Sequence, residues 1–351
     1  MKISVCMIVR NEVDQVGRAL SSIPDQYERI VVDTGSTDGT FDEALRHGAS
    51  IFSFEWTNDF SEARNFSIEQ ATGNYVLVLD ADEVLCEGTE EAVRRFVDEH
   101  PSSAGSVIIR NQSNGDWTQH RMVRFFPNEP SYRFAGQVHE QIVVNGVPAD
   151  FEATSIAIEH YGYNQDIYEK TGKYDRYLNL YSQVLKQDPK DGYMWYQLGK
   201  LHYSNKKYEL ALSAYEQALM HEQFANLYFP PLLVQYGYTL KELGRSGQAL
   251  SFLSVFEEQY TDYPDLPFLM ALLAMDTGDI TRIAHYFERS LSIGETTKYS
   301  TVIGVGTYKA AYNLGVFYEI TGQRALAVRY YTMAREQGYA PAKQRLSNIS
   351  I

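Results

Sequence analysis

An apolar run that ends in two carboxylates is the feature that most constrains how this chain can fold. Residues 75–79 read Tyr-Val-Leu-Val-Leu, and Asp80-Ala81-Asp82-Glu83 follow directly. So short and apolar a run predicts a strand that is buried in a sheet. If the strand geometry continues, Asp80 and Asp82 point to the same face. Two like charges on one face repel, and their burial is costly unless a cation lies between them.

Carboxylate oxygens of this kind suit Mg²⁺ or Mn²⁺, ions that often hold substrate phosphates as well. The pair therefore predicts a metal and diphosphate site at the carboxyl end of a parallel strand. A solvated acidic loop after a strand is the simpler alternative, because an Asp-x-Asp pair alone is a weak signal.

Strand and helix signals alternate along the first part of the chain. Apolar runs at 3–9, 30–32 and 49–54 predict strands, and helical spacing follows each of them. Such alternation predicts an α/β fold with a parallel sheet and right-handed crossovers. In sheets of this kind, ligands bind outside the carboxyl ends of the strands. Asn11, Glu12, Asp33 and the Asp80/Asp82 pair would all lie on that edge.

The polar segments that end these strands resemble those of family 2 glycosyltransferases, which have the nucleotide-sugar-binding GT-A fold. The matching segments are Met-Ile-Val-Arg-Asn-Glu at 7–12, Val-Asp-Thr-Gly-Ser-Thr-Asp-Gly-Thr at 32–40, Ala-Arg-Asn at 63–65 and Leu-Asp-Ala-Asp-Glu at 79–83. Their order and spacing match the family, and the resemblance extends to about residue 160.

Three further segments are similar to the subgroup that includes the peptide S-glycosyltransferase for the bacteriocin sublancin. They are Trp-Thr-Asn-Asp-Phe-Ser-Glu-Ala-Arg-Asn at 56–65, Phe-Ala-Gly-Gln-Val-His-Glu at 134–140 and His-Tyr-Gly-Tyr-Asn at 160–164. Lipopolysaccharide-core glucosyltransferases share the Val-His-Glu signal. The first of these resemblances favours a peptide acceptor, and the second favours a glycan acceptor.

The resemblance implies roles for individual residues. It places the nucleotide-sugar contacts on the set Val9, Asn11, Glu12, Asp33, Arg64, Asp80 and Ala81. It assigns a Mn²⁺ or Mg²⁺ ion to Asp80, Asp82 and His160. The structural alternatives are that Arg64 pairs with Asp33 or Asp59, and that His160 is a satisfied residue after a strand.

The resemblance also makes Glu140 the catalytic base of an inverting transfer, which accepts the proton of the attacking acceptor. Asn65, Gly136 and His139 are its expected supporting residues, since Gly136 permits a tight turn. In alternating strand geometry, His139 would point away from Glu140. The structural alternative makes Glu140 a buried partner of one nearby arginine, which would be Arg121, Arg124 or Arg133.

Beyond Asn164 the chain changes to tyrosine-rich amphipathic helices, so we expect an α/β domain at 1–164 and an all-α repeat domain at 165–351. The spacing is typical of tetratricopeptide repeats, units of about 34 residues. One unit contains Trp195, Leu198, Gly199, Ala211, Tyr215 and Ala218, and the last contains Leu314, Gly315, Tyr318, Ala327, Tyr331 and Ala334. Weaker units lie at 236–256 and 266–293.

Such repeats build a solenoid whose concave face binds peptides or proteins. The 27 tyrosines fit an amphipathic contact surface. They fit equally well the packing that the repeat core itself needs. Relatives dimerise through their repeats, so the resemblance implies a possible homodimer.

Charge and composition exclude several classes of partner. A net charge of −14 argues against nucleic acid and against an anionic membrane surface. No apolar run approaches about 20 residues, so we expect no membrane span, and no signal peptide is apparent. Cys6 in a strand and Cys86 in a loop lack metal-ligand spacing and suggest a reducing compartment. We therefore expect a cytoplasmic protein.

Together these patterns predict a metal-dependent, inverting glycosyltransferase that moves a sugar from a UDP-sugar to a peptide or protein acceptor presented by the repeats. A polysaccharide or lipid-linked saccharide acceptor is the first alternative. The other is a non-catalytic repeat scaffold, against which the intact set of Asp80, Asp82, Glu140 and His160 argues.

Overall fold

A computed structural model describes residues 1–113, 116–161, 173–221, 224 and 226–349. The chain divides into two compact units, Met1–Arg176 and Tyr177–Ile351. The predicted domain boundary between residues 164 and 165 lies outside the described residues, as do Gly162, Tyr163 and Asn164 of the last sequence match. The boundary therefore stays a prediction.

The first unit alternates strands and helices over its first part and then becomes strand-rich. Its first elements are β1 Ile3–Val9, α1 Val13–Ser21, β2 Glu28–Asp33, α2 Thr40–Arg46, β3 Ser50–Ser53, α3 Phe60–Glu69 and β4 Tyr75–Val78. Then come β5 Glu83–Leu85, α4 Thr89–Glu99, β6 Ala104–Ser113, β7 Asp116–Pro127, β8 Tyr132–Ala135, β9 Gln141–Val144, β10 Val147–Pro148 and β11 Phe151–His160.

The main sheet of this unit is mixed, with the order β3-β2-β1-β4-β7-β6-β11-β5. β1 runs parallel to β2 and β4, and β2 runs parallel to β3. β7 is antiparallel to β4 and β6, whereas β11 is parallel to β6. A small antiparallel sheet contains β8, β9 and β10. The predicted α/β class with a parallel core is confirmed.

The central strands are buried on both faces, which explains their nearly continuous apolar sequence. Alternate residues of β1 belong to two separate hydrophobic clusters. Val5 and Met7 pack with Val16 and Leu20 of α1 on one face. Cys6 packs on the other face in the cluster that contains Ile68 of α3. The sheet is therefore a rigid layer, and polar side chains collect where its strands end.

From residue 173 onward the described chain consists mainly of paired helices, and the first of them starts in the last four residues of the first unit. They are α5 Lys173–Gln187, α6 Gly192–Ser204, α7 Tyr208–Met220, α8 Phe229–Glu242, α9 Ser246–Leu253, α10 Asp265–Thr277 and α11 Ile280–Ile293, then α12 Tyr308–Ile320, α13 Arg324–Glu336 and α14 Ala340–Ile349. A 3-10 turn at Ser254–Phe256 follows α9, and a two-residue strand at Thr301–Val302 lies in the α11–α12 connection.

Equivalent glycine contacts recur in these pairs. A Cβ atom on Gly199 would lie 2.3 Å from the ring of Tyr215, and one on Gly315 would lie 2.5 Å from the ring of Tyr331. The helices of each pair cross so closely that only glycine fits. The predicted helical repeats are confirmed. Of the helices in the described ranges, none has both the length and the apolar character that a bilayer crossing requires.

Candidate functional site

Two loops at the carboxyl ends of β1 and β2 are joined by side-chain hydrogen bonds. Asn11, whose φ is +56°, accepts a hydrogen bond at Oδ1 from the Thr37 N–H at 2.8 Å. The N–H of Asn11 donates to Ser36 Oγ at 3.0 Å. Asp33 Oδ1 accepts from the N–H groups of Gly35 and Ser36 at 2.8 and 2.7 Å. Asn11 and Asp33 thus shape the loops that were predicted to meet the nucleotide.

Backbone atoms fix the other predicted residues of this edge. The Val9 carbonyl accepts from both the N–H and the hydroxyl of Thr34, each at 3.0 Å. The N–H of Glu12 donates to Thr40 Oγ1 at 2.8 Å. Ala81 is buried between the two aspartates. Protein hydrogen bonds and burial therefore hold these positions.

Two buried arginines hold Asp80 between them. Arg64 Nη2 lies 2.8 Å from Asp80 Oδ1, and Arg124 Nη2 lies 2.9 Å from Asp80 Oδ2. Arg64 Nε donates to Glu140 Oε1, and Arg124 Nη2 lies 3.8 Å from Glu83 Oε1. Arg64 Nη1, Arg124 Nε and Arg124 Nη1 are buried without a hydrogen-bond partner among the described residues. The cluster thus contains guanidinium nitrogens that no group in the described part of the chain satisfies.

The pKa of each charged group in this cluster depends on the charges of its neighbours. Burial alone would raise the pKa of Asp80, but the charges of Arg124 and Arg64 hold that pKa below its ordinary value. Burial opposes the charge on Arg64, yet Asp80 and Glu140 raise its pKa. Burial and the neighbouring charge of Asp80 raise the pKa of Glu83. Removal of one charged side chain would therefore leave another buried charge without its partner.

The two aspartates do not extend a strand, because β4 ends at Val78 and a turn follows. The Glu83 N–H donates to the Asp80 carbonyl at 3.0 Å, and Glu83 Oε2 accepts from the Asp80 N–H at 2.8 Å. The strand alternation assumed for Asp80 and Asp82 therefore fails at the turn. Asp80 reaches the arginines, whereas Asp82 reaches His160.

Sequence reasoning missed the roles of Glu83 and Arg124 in this cluster. Arg124 stands in β7 directly before Phe125 and Phe126, both fully buried. A lone charge beside two buried aromatic residues was the available signal. The structural alternative made Glu140 the partner of an arginine, and the structure pairs it with one, but with Arg64 rather than Arg121, Arg124 or Arg133. The alternative partners of Arg64, Asp33 and Asp59, are wrong, since Arg64 pairs with Asp80 and Glu140.

Asp82 and His160 begin a second polar network. His160 Nε2 lies 3.0 Å from Asp82 Oδ2, and His160 Nδ1 lies 2.8 Å from Asn111 Oδ1. Asn111 Nδ2 lies 3.2 Å from His120 Nδ1. Burial opposes the charge on His160, but its hydrogen bond with Asp82 raises the pKa of the imidazole.

A divalent ion fits part of this network. In the described ranges, no three His, Cys, Asp or Glu side chains converge as a ready metal site, and both oxygens of Asp80 contact arginines. Asp82 and His160 offer an oxygen and a nitrogen donor side by side. His160 also hydrogen-bonds through its other ring nitrogen, as metal-binding histidines generally do. These two residues therefore fit Mn²⁺ or Mg²⁺ better than Asp80 does.

The segment that carries Glu140 is fastened to α3. Gly136 has a φ of +105° and His139 a φ of +53°, so the segment turns sharply and the strand alternation assumed for His139 does not hold. Asn65 Nδ2 donates to the Phe134 carbonyl at 2.9 Å, and Asn65 Oδ1 accepts from the Phe134 N–H at 2.8 Å. Asn65 and Gly136 thus have structural roles in placing Glu140.

Comparison with known proteins matches each unit separately. Residues 4–158 match the family model Glycosyl transferase family 2, and residues 166–226 match the model Tetratricopeptide repeat. A TPR repeat-containing protein from Synechococcus elongatus is 35% identical over 209 residues, which are 57% of this chain and 52% of the relative. The alignment thus spans about half of that relative's length.

A second relative and one solved structure extend the comparison. The prophage-derived glycosyltransferase SunS of Bacillus subtilis is 25% identical over 299 residues, 82% of this chain and 70% of that protein. The crystal structure of MamA covers 52% of this chain and 99% of its own, at 21% identity and a TM-score of 0.41. A score this low adds no argument about function.

Proposed function

We propose that this chain transfers a sugar from a UDP-sugar to a peptide or protein acceptor, and its matches to the family models Glycosyl transferase family 2 and Tetratricopeptide repeat support this. The observation that carries the proposal is the cluster of Arg64, Asp80 and Glu140 at the carboxyl edge of the sheet. It brings together the Arg64 guanidinium, which would bind the donor, and the Asp80 carboxylate, which orients Arg64. The Glu140 carboxylate, which would deprotonate the acceptor, also contacts Arg64.

The donor half of the site is the edge formed by the β1 and β2 loops and the β4 turn. Asn11 and Asp33 shape loops that would receive the nucleoside. Arg64 presents a planar fork of donors that suits phosphate oxygens. Its buried Nη1, which has no partner among the described residues, gives it capacity for one more acceptor. We therefore assign Arg64 to the diphosphate.

A Mn²⁺ or Mg²⁺ ion bound by Asp82 and His160 would stabilise the negative charge that develops on the leaving diphosphate. Asp80 keeps Arg64 and Arg124 in place beside it. In this arrangement Asp80 positions the two arginines.

Glu140 is the proposed base. Arg64 engages its Oε1, and its Oε2 would take the proton from the acceptor oxygen or sulfur. That atom forms a bond to the anomeric carbon while the bond from this carbon to the diphosphate breaks, so UDP leaves and the configuration inverts. Because Arg64 contacts both Asp80 and Glu140, one side chain links the donor and acceptor halves.

The repeats are the proposed acceptor-binding region, and the resemblance to the peptide S-glycosyltransferase supports a peptide. The resemblance to lipopolysaccharide-core enzymes supports a glycan acceptor as the second candidate. Because nucleotide sugars are made in the cytoplasm, we place the protein there.

Donor hydrolysis tests the proposal. The protein is incubated with UDP-, GDP- and dTDP-sugars in the presence of Mn²⁺, Mg²⁺ or EDTA, and nucleotide binding is measured in parallel. We expect slow release of UDP from one sugar, abolished by EDTA and by Asp82→Asn. The exposed Asp98→Asn serves as the matched control. A chain that neither binds nor hydrolyses any donor would be a repeat scaffold instead, and binding without release would mean that turnover requires the acceptor.

A further inference from the structure

The second polar network continues beyond the proposed metal ligands. Asn111 on β6 and His160 on β11 are paired residues of adjacent parallel strands, so their side chains stand on the same face of the sheet. His120 on β7 lies beside them on that face, diagonal to the pair of Asn111 with Thr118. Three neighbouring strands thus place an unbroken row of polar groups that ends at Asp82.

The donor or acceptor character of each polar atom in this row determines how the next side chain is oriented. Where His120 Nδ1 acts as an acceptor, it receives a hydrogen bond from Asn111 Nδ2 at 3.2 Å. That bond turns Asn111 Oδ1 toward His160 Nδ1, at 2.8 Å. An amide oxygen only accepts, so the proton of this bond must sit on His160 Nδ1. Nε2 then faces Asp82 and is the ring nitrogen left to bind a metal.

We propose that Asn111, oriented by His120, is a positioning residue that fixes the ring of His160 and reserves its Nε2 for the metal ion. This inference rests on the proposed function, because it takes His160 as a ligand. Outer partners of this type hold the tautomer and ring angle of a metal-binding histidine, and their removal weakens metal affinity about 10- to 100-fold.

The strand offers matched variants. Asn111→Leu removes the acceptor while keeping a similar shape. Should the leucine variant not fold, Asn111→Ser moves the acceptor oxygen away from His160 Nδ1, because its side chain is shorter. Asn111→Asp keeps an oxygen acceptor for His160 Nδ1 but loses the amide donor to His120, so it should keep most of the metal affinity. Gln112 is the next residue of β6, points to the other face and is exposed, so Gln112→Leu is the control for an apolar residue in this strand.

Two measurements separate the inference from the proposed function. The first is the ring N–H proton spectrum of the metal-free protein, in which His160→Gln identifies the His160 signal. We expect a downfield Nδ1–H signal, protected from exchange, that is lost in the Leu and Ser variants and kept in the Asp and Gln112→Leu variants. Absence of this signal from the unsubstituted protein, or its persistence in Asn111→Leu, would overturn the inference.

The second measurement is Mn²⁺ affinity, followed by the paramagnetic resonance signal of free Mn²⁺ without donor or acceptor. We expect affinity to fall about 10- to 100-fold in Asn111→Leu and Asn111→Ser. We expect a smaller fall in His120→Leu and in Asn111→Asp, which both lose the hydrogen bond between residues 111 and 120, and no change in Gln112→Leu. Equal affinity of the unsubstituted protein and Asn111→Leu would refute the positioning role. If the expected proton signals appear but the unsubstituted protein binds no Mn²⁺, the ring orientation by Asn111 is supported and the metal dependence is wrong.

Discussion

Arg64 Nη2 lies 2.8 Å from Asp80 Oδ1, and the same guanidinium reaches Glu140 through Nε. The Asp80 carboxylate is shared between two arginines, because Arg124 Nη2 lies 2.9 Å from its other oxygen, Oδ2. Asp80 is thus the only carboxylate among the described residues that is ion-paired with both arginines.

Loss of the Asp80 charge should destabilise the first unit. Asp80→Asn leaves two buried guanidiniums short of a counter-charge, and breaking a buried pair in this way costs about 3–5 kcal/mol. Denaturant unfolding of the first unit measures the effect. Asp98→Asn, at an exposed position of α4, should change the free energy of unfolding by less than about 0.5 kcal/mol. Equal effects of the two substitutions would contradict the bridging role.

Glu140→Gln should keep donor binding and lose transfer. The amide fills the same space, but it does not accept the acceptor's proton, and general base catalysis contributes roughly 10²- to 10⁴-fold. Donor affinity and single-turnover transfer to an accepted substrate are measured separately. If Glu140 served only to neutralise Arg64, donor affinity would change while the transfer rate of the bound donor would not.

Gly315→Ala should destabilise the second unit. The new Cβ would lie 2.5 Å from Cδ1 and Cε1 of Tyr331, whose side chain is fully buried, and overpacking of this kind costs about 1–3 kcal/mol. Thermal unfolding measures the change. The control is Gly247→Ala in α9, where the nearest atom to the new Cβ, Thr277 Cγ2, is 4.0 Å away. That substitution should be neutral or should stabilise by up to about 1 kcal/mol through helix propensity.

The second unit should lose stability as the pH rises through neutrality. Burial raises the pKa of Asp265 to about 7, and nearby Glu295 adds to this, against hydrogen bonds from Thr301 and the Val302 N–H. Because the folded state disfavours the ionised form, the stability present below the unfolded pKa of about 4 is lost as the pH rises to about 7 and above.

Asp265→Asn should remove this part of the pH dependence. At pH 8 the variant should be more stable than the unsubstituted protein, by on the order of 2–4 kcal/mol, and the two should converge toward pH 4. Unfolding midpoints across this range provide the measurement. Asp262→Asn should behave differently, because its ion pair with Lys298 holds the pKa of Asp262 below the ordinary value against the effect of burial. Matching pH profiles for all three proteins would contradict the assignment.

The α/β class and the repeats could be predicted from local sequence, because both rest on periodicity. The apolar strands of the first unit alternate between two packed faces, and Gly199 and Gly315 mark the same close crossing in two helix pairs. Periodic burial is a property of each segment, so a single sequence reveals it.

The pairings inside the site could not be predicted in the same way. Arg64 and Glu140 are 76 residues apart, and His160 and Asp82 are 78 residues apart. Such contacts depend on the order of the strands in the sheet, and hydrophobic periodicity along the sequence does not predict that order. The prediction that Asp80 and Asp82 point to the same face assumed that the strand continues through them. The turn at Asp80 ends that strand geometry. The sequence thus indicated candidate residues for the site, but not which of them contact one another.

Helix α3 holds the segment before Glu140 at three points. Asn65 brackets the peptide groups of Phe134, Ser61 Oγ donates to the Gly136 carbonyl, and the Phe60 N–H donates to the Gln137 carbonyl at 3.0 Å. Arg64 lies on the same helix, so the arginine and the segment that carries Glu140 form one mechanical block. A motion that separated α3 from this segment would therefore have to break all of these hydrogen bonds at once.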